Sequence, residues 1–351
     1  MNLRHSAFAA AFKAIELSGA HRWGRRLGQG VGAILMLHHV RPFASGSFAP
    51  NRLLEVTPDW LESALALVRA EGYDLVDMDE MAARLEGPQR DRFAVALTFD
   101  DGYRDNVEHA LPVLKRHNAP WTLYVTTGYA DGTAQLWWIE LEEAIRALPR
   151  VTLLVGGAIH DHDASTPQAK QAAFNDVYWA LRARPEAELR AGVSRLAAEA
   201  GLDSAALTRA LCLDWDALRS LAAAEPSLSI GAHTATHPML ARHPLHVAQP
   251  EIVEAKDRIE FELGREVAHM AYPVGDRGSA GPREFEIARQ AGFRTAVTTR
   301  PGHVFRAHQP HLMALPRVSL NGFHQNEGAL KALFSGLPFL ALNRGRRLDV
   351  G

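Results

Sequence analysis

Short apolar runs alternate with amphipathic stretches through most of the chain, the pattern of strands that each return through a helix. Ala33-Ile34-Leu35-Met36-Leu37 predicts a first strand that ends at His38-His39. Phe93 to Phe99, Trp121 to Val125, Ser229 to Ala232, Val267 to Tyr272, Thr295 to Thr298 and Ala314 to Leu320 predict further strands. Between them, Pro58 to Ala70 (Thr57 as N-cap), Asn106 to His117, Glu251 to Leu263 and Pro282 to Ala291 carry helical spacing. The rhythm breaks over residues 131–213, where an Ala- and Arg-rich pattern from Gln168 to Ala200 predicts a mostly helical insertion, with Val151 to Val155 a short strand inside it. The expected layout is an N-terminal helical segment (1–30), one α/β unit split into 31–130 and 214–325, the insertion (131–213) and a C-terminal tail (326–351).

Two of the strand ends carry chemistry. The apolar run closing at Phe99 delivers Asp100 and Asp101, and Gly102 then lets the chain turn sharply. Ionised neighbours repel each other and cost desolvation, so a fold that keeps both at a strand end calls for a cation. After Ser229-Ile230-Gly231-Ala232 come His233 and His237, spaced His-x-x-x-His and closed by Pro238. One helical turn or a tight loop brings such a pair to one side, where both imidazoles reach one metal. Alone, paired aspartates also read as a solvated turn, and His-x-x-x-His as two surface or capping histidines. Each at the end of an apolar strand, they predict a three-ligand site with room for water and one carboxylate left for acid–base work.

At these residues the chain resembles the polysaccharide deacetylases, the NodB-like carbohydrate esterases. Thr98-Phe99-Asp100-Asp101-Gly102 is similar to that family's first motif and His233-Thr234-Ala235-Thr236-His237-Pro238 to its second. The resemblance covers roughly residues 31–130 and 214–320 and implies a distorted (β/α) barrel of the α/β class. It implies that Asp101, His233 and His237 bind a divalent metal, by default Zn2+, although Co, Ni or Fe also suit two imidazoles and a carboxylate. Asp100 is then the general base. Tyr272-Pro273-Val274-Gly275 occupies the place of the third motif, and the resemblance implies a backbone N–H near Val274 as oxyanion donor. The arginine usual two residues before that proline is here Ala271, so the expected partner of Asp100 is missing. Arg317, on the last strand, is the candidate to supply a guanidinium from another direction; the other reading is an ordinary surface arginine.

The family's final Leu-x-His motif, which supplies the general acid, has no counterpart near the C-terminus. Ile34-Leu35-Met36-Leu37-His38 looks like that motif moved to the front, a circularly permuted order that a closed barrel permits. His39 satisfies Leu-x-His literally, whereas His38 fits better with the whole strand. Neighbours on a strand face opposite sides, so only one enters the site, and His38 is the preferred acid. The activity implied is metal-dependent hydrolysis of N-acetyl groups on a polysaccharide, oligosaccharide or glycolipid, giving acetate and a free amine. O-acetyl ester or other amide hydrolysis fits the same motifs, and a catalytically silent sugar-binding protein is the reading of another class. Trp137, Trp138, Tyr178 and Trp179 either pin the insertion to the barrel or line a sugar cleft.

Composition refines this only slightly. The 351 residues, 47% hydrophobic, suffice for a large core, and a net charge of −2 gives no reason to expect nucleic acid. The single Cys212 forms no intrachain disulfide. Lys13 and Glu16 interrupt the apolar run Ala7 to Phe12 before signal-peptide length, so a cytoplasmic location is expected. Phe8, Phe12, Ile15 and Trp23, with Arg22, Arg25 and Arg26, leave two uses open: an interfacial helix in peripheral membrane contact, or a helix packed on the barrel exterior.

Overall fold

The computed structural model describes residues 3–43, 46, 48–87 and 92–351; positions 1 and 2 of the N-terminal segment lie outside the described residues. Seven parallel strands form a closed barrel: β1 (Gly32–Leu37), β2 (Ala94–Phe99), β3 (Trp121–Val125), β4 (Leu228–Ala232), β5 (His269–Ala271), β6 (Thr295–Pro301) and β7 (Leu315–Ser319). The first strand closes it, pairing Leu35 with Leu97 of β2 on one edge and with Val318 of β7 on the other. The barrel is distorted in two places. One edge of β2 is shared, Ala94–Ala96 pairing with Asp74–Val76 and Leu97–Phe99 with β3. Between β6 and β7 the register shifts from Val297↔Leu315 to Pro301↔Arg317.

Period-two alternation sorts the side chains. Ile34, Ala96, Tyr124, Ala271, Val297 and Leu315 form one buried cluster inside the barrel. Leu35, Leu97, Leu123, Ile230, Met270 and Val318, on the opposite faces of the strands, belong to the larger core under the surrounding helices. A Cβ on Gly231 of β4 would lie 2.6 Å from the Tyr124 ring and 2.7 Å from the His269 carbonyl oxygen. The tyrosine ring thus uses the room that the glycine leaves. Because the interior residues recur every second position, the same alternation turns His38, Thr98, Asp100 and Arg317 toward the barrel axis.

The predicted helices form with small boundary changes. Thr57 caps Pro58–Ala70 by accepting from Trp60 N–H at 3.2 Å. The stretch after Asp105 opens with a π-turn, Asn106–Ala110, before Leu111–Arg116 becomes α-helical. The helix expected at Glu251 starts at Leu245, and the strand expected over Val267 to Tyr272 keeps only His269–Ala271.

The mostly helical insertion with its strand at Val151 to Val155 is present, with added detail, and the C-terminal segment departs from expectation. The insertion contains a two-stranded antiparallel hairpin, Arg150–Val155 with Ala158–Asp163, and Pro185 divides its long helical stretch into Pro167–Arg182 and Glu186–Glu199. Residues 326–351 are not simply a tail: Glu327–Phe334 and Leu337–Leu342 are helices, and the first carries Ala329 and Ala332 against Phe12 of helix Leu3–Leu17. The apolar residues Phe8, Phe12 and Ile15 meet in that cluster, whereas Trp23 is exposed. No helix among the described residues is long and apolar enough to cross a membrane.

The tight fit at Gly231 is testable. Gly231→Ala overfills the barrel interior and is expected to lower stability by about 1–3 kcal/mol. Urea unfolding checks this; an unchanged midpoint would show that Tyr124 yields freely.

Candidate active site

The adjacent aspartates diverge because the backbone turns between them. Asp100 N–H still continues the ladder, donating to Leu37 O at 3.0 Å. Asp101 and Gly102 then adopt left-handed conformations, with φ of 73° and 71°. One carboxylate consequently faces β7 and the other faces the loop after β4.

Asp100 meets Arg317 in a fork: Nη1 donates to Oδ1 and Nη2 to Oδ2, each at 2.7 Å. The guanidinium is itself fixed, with Nε donating to Thr298 O at 2.9 Å and Nη1 to Thr98 Oγ1 at 3.2 Å. Both residues are buried. Burial alone would raise the Asp100 pKa, but the Arg317 charge and hydrogen bonds, with His233 and His38 nearby, hold it well below the usual carboxylate range. Arg317 is therefore not a surface arginine, and it takes the position that Ala271 leaves without a guanidinium. Ala271 serves in another way, since its carbonyl accepts from His233 Nδ1 at 2.7 Å.

That bond defines the His233 tautomer. A carbonyl only accepts, so Nδ1 carries the hydrogen and Nε2 presents its lone pair 3.6 Å from Asp101 Oδ1. His237 Nε2 lies 3.4 Å from the same oxygen. The segment between the histidines is a loop and not a helical turn. Thr234 and His237 have φ of 64° and 61°, and Thr234 Oγ1 accepts from His237 N–H at 3.1 Å. Glu251 anchors the loop through Thr236 N–H at 2.8 Å, and Thr126 Oγ1 donates to His233 O at 2.8 Å.

Asp101, His233 and His237 have the donor set of a transition-metal site. Ligand atoms about 2.0–2.1 Å from a tetrahedral ion lie roughly 3.3 Å apart, close to the 3.4 and 3.6 Å found here. Asp101 Oδ1 is buried and accepts no hydrogen bond. Burial and the neighbouring Asp100 charge push the Asp101 carboxyl up, the penalty that a bound cation relieves. Burial pushes both histidines down, leaving them neutral, as ligation requires.

His38 and His39 part company as alternation requires. His38 Nε2 lies 3.8 Å from Asp100 Oδ2 and keeps some exposure, and burial lowers its pKa to about 4. His39 turns away, with Nδ1 2.7 Å from Asp105 Oδ2 and its ring stacked on Tyr103 at 3.6 Å. Asn106 Nδ2 fixes the strand end by donating to His38 O at 2.7 Å. Val274 has φ of 60°, and its carbonyl accepts from Thr299 Oγ1 at 2.7 Å. Its N–H finds no acceptor among the described residues.

The insertion supplies residues that the motifs did not reveal. Arg190 Nη2 donates to Thr236 O at 3.0 Å and His237 O at 3.3 Å, while Glu186 orients that arginine and accepts from Met239 N–H at 2.9 Å. Trp138 packs on His237, with ring centroids 4.9 Å apart, and Trp137 and Trp138 are buried in the insertion core. Tyr178 stacks near Trp137 at 5.4 Å, and Trp179 is exposed. In sequence, Glu186 and Arg190 look like an ordinary i,i+4 surface ion pair on a helix. Nothing local signals that they hold a loop of the barrel.

Comparison with known structures places the fold among deacetylases. The deacetylase PplD of Streptococcus pyogenes, solved in complex with acetate, is 20% identical with a TM-score of 0.57, covering 86% of this chain and 96% of that one. The IcaB protein of Ammonifex degensii is 17% identical with a TM-score of 0.53, covering 88% and 98%. A de-N-acetylase of Aggregatibacter actinomycetemcomitans is 12% identical with a TM-score of 0.53, covering 86% and 99%. No curated protein matches the chain in sequence. The sequence profile of the polysaccharide deacetylase family matches residues 87–296, a span that holds Asp100, Asp101, His233, His237 and Val274 but neither His38 nor Arg317. The chain thus belongs to the polysaccharide deacetylase family.

Proposed function

We propose that this protein hydrolyses the N-acetyl groups of sugars in a polysaccharide, oligosaccharide or glycolipid with a divalent metal, by default zinc, held by Asp101, His233 and His237. The observation that carries the reading is the buried Asp101 Oδ1, which accepts no hydrogen bond and faces two neutral imidazoles beside an ionised Asp100. Bound there, the cation would supply Lewis acidity toward a carbonyl and lower the pKa of a water. The remaining roles belong to the chain. Arg317 keeps Asp100 ionised and oriented, Asp100 takes the proton of the attacking water, and the Val274 N–H is free to donate to the oxyanion. His38 delivers a proton to the departing nitrogen.

One observation favours a second division of labour. The fork from Arg317 already occupies both oxygens of Asp100, which makes it a weak base. His38 is neutral in the resting site, so it must receive a proton before it can give one. In this reading His38 takes the water proton and passes it to the amine, and Asp100 acts by its charge.

Substitutions separate these roles. Asp101→Ala, His233→Ala and His237→Ala are each expected to lose metal and activity; a folded variant with full metal content and activity would leave the ligand set. Asp100→Asn is expected to keep the metal and lose about 100- to 10,000-fold in acetate release from N-acetylated oligosaccharides; a loss under about tenfold would reject it as the base.

His38→Ala then discriminates between the two readings. If His38 serves only as acid, hydrolysis of an activated aryl acetate survives in part, since a phenol leaves with little help. If it is base and acid in turn, both substrates fail together. His39→Ala is expected to spare this contrast.

For pH, a cation that depresses a carboxyl pKa extends activity to lower pH. Arg317→Met removes that cation and leaves Asp100 buried, so its pKa rises and the acid limb of the activity profile shifts to higher pH. A titration of kcat/KM checks the direction. Arg317→Lys, which keeps the charge without the fork, is expected to shift it less.

The clamp from the insertion is testable by affinity. Arg190→Met leaves the Thr236 and His237 carbonyls without their donor and is expected to weaken zinc binding by about 10- to 100-fold, as loss of a ligand's supporting partner does. Competition with a chelator measures it, and an unchanged affinity would make the clamp irrelevant to the ligands.

A further inference from the structure

The hairpin of the insertion carries an arrangement that the barrel site does not use. In its outer strand, Ala158–Asp163, residues pair one for one with Arg150–Val155: His160 stands opposite Leu153 and His162 opposite Val151. Val151 and Leu153 are buried in the insertion core, so both histidines share the face turned toward helix Pro167–Arg182. On that helix Asp176 meets them. Its Oδ2 lies 2.6 Å from His160 Nδ1 and 2.8 Å from His162 Nε2. A face that packs strand on helix is ordinarily filled with aliphatic side chains, as the inner strand shows. Here two imidazoles and a carboxylate converge instead, their donor atoms all within 4.8 Å of one another.

We propose that His160, His162 and Asp176 form a second metal site, for a borderline divalent ion of the zinc, nickel or copper class, that ties the hairpin to its helix. Imidazole nitrogens select such ions over magnesium or calcium. Three protein donors at a partly exposed position leave the remaining coordination to water. The neighbouring acids are engaged elsewhere, Asp161 with Arg150 and Thr152, and Asp163 with Ser165. The role follows from the architecture. A two-stranded hairpin is marginal by itself, and the outer strand here is mostly exposed apart from the two histidines. An ion joining strand to helix stiffens the scaffold from which Glu186 and Arg190, on the next helix, reach the His237 loop.

The test counts ions on the full chain without a histidine tag, stripped with chelator and equilibrated with buffered micromolar free zinc. Elemental analysis is expected to find two ions per wild-type chain and one in each of His160→Gln, His162→Gln and Asp176→Asn. The barrel variant Asp101→Asn is expected to keep one ion, and its combination with Asp176→Asn none. Zinc is expected to raise the melting temperature of Asp101→Asn but not of that combination. One ion in the wild type together with one in Asp176→Asn, or none in Asp101→Asn, would overturn the hairpin site. Two ions retained in all three hairpin variants would also overturn it. Should a histidine variant disturb the hairpin, seen by circular dichroism, the near-isosteric Asp176→Asn decides. Failure of the barrel metal reading looks different: Asp101→Asn would then hold as many ions as the wild type.

Discussion

The structure depends on keeping one buried carboxylate ionised. Asp100 lies at the mouth of the barrel, buried, and a lone charge there costs several kcal/mol. Arg317 offsets that cost because it is itself held in place: four hydrogen bonds tie its guanidinium to Asp100, the Thr298 carbonyl and Thr98 Oγ1. These partners sit on β2 or its end and on β6, and Arg317 itself on β7, so the ion pair also fixes how three strands meet at the carboxyl end. The shift of register between β6 and β7 falls beside it, where Pro301 pairs with Arg317. With the guanidinium committed to Asp100, the adjacent Asp101 faces neutral groups, the imidazoles of His233 and His237 and the Tyr103 hydroxyl. Burial and the Asp100 charge therefore push the Asp101 carboxyl up, the opposite of what the guanidinium does for Asp100.

Backbone strain follows the same centre. Asp101, Thr234, His237 and Val274 all have positive φ, and only Asn118 and Arg344 join them among the described non-glycine residues. Each such conformation costs of order 1–3 kcal/mol and lasts only where the surroundings hold it. Here the holding groups are visible. Thr234 Oγ1, Glu251 and Arg190 secure the loop of His237, and Thr299 bonds to both Val274 O and Gly275 O. Strain and its supports therefore share one end of the barrel with the pair of aspartates.

Much of this was legible in the sequence because barrel strands obey a short-range rule. The apolar runs placed every barrel strand, and alternation alone separated His38 from His39, since His38 is in phase with Ile34 and His39 with Leu35. Arg317 could be nominated from its place in the last strand, but its contact with Asp100 spans 217 residues, and no local pattern encodes such a distance. What escaped notice was the outer strand Ala158–Asp163, whose Ala-Ile-His-Asp-His-Asp is too polar to read as a strand. The helices after residue 326 are short, eight and six residues, too brief for a period to stand out against a tail. The break at Pro185 is legible in the sequence, since a proline turns the residue before it out of the helical region.

The position of His38 illustrates what closure contributes. A histidine on the first strand is far in sequence from the paired aspartates on the second, and farther from the arginine on the seventh. In an open sheet ordered by sequence, the first and seventh strands would lie at opposite edges. Closing the barrel makes β1 the neighbour of both β2 and β7, so one strand end brings an imidazole beside a carboxylate and its guanidinium. The same geometry sets the histidine's chemistry, because proximity to Arg317 and burial both oppose protonation, while Asp100 favours it. Barrel closure thus sets His38 between two opposed charges, the Asp100 carboxylate and the Arg317 guanidinium, and burial tips the balance toward the neutral imidazole.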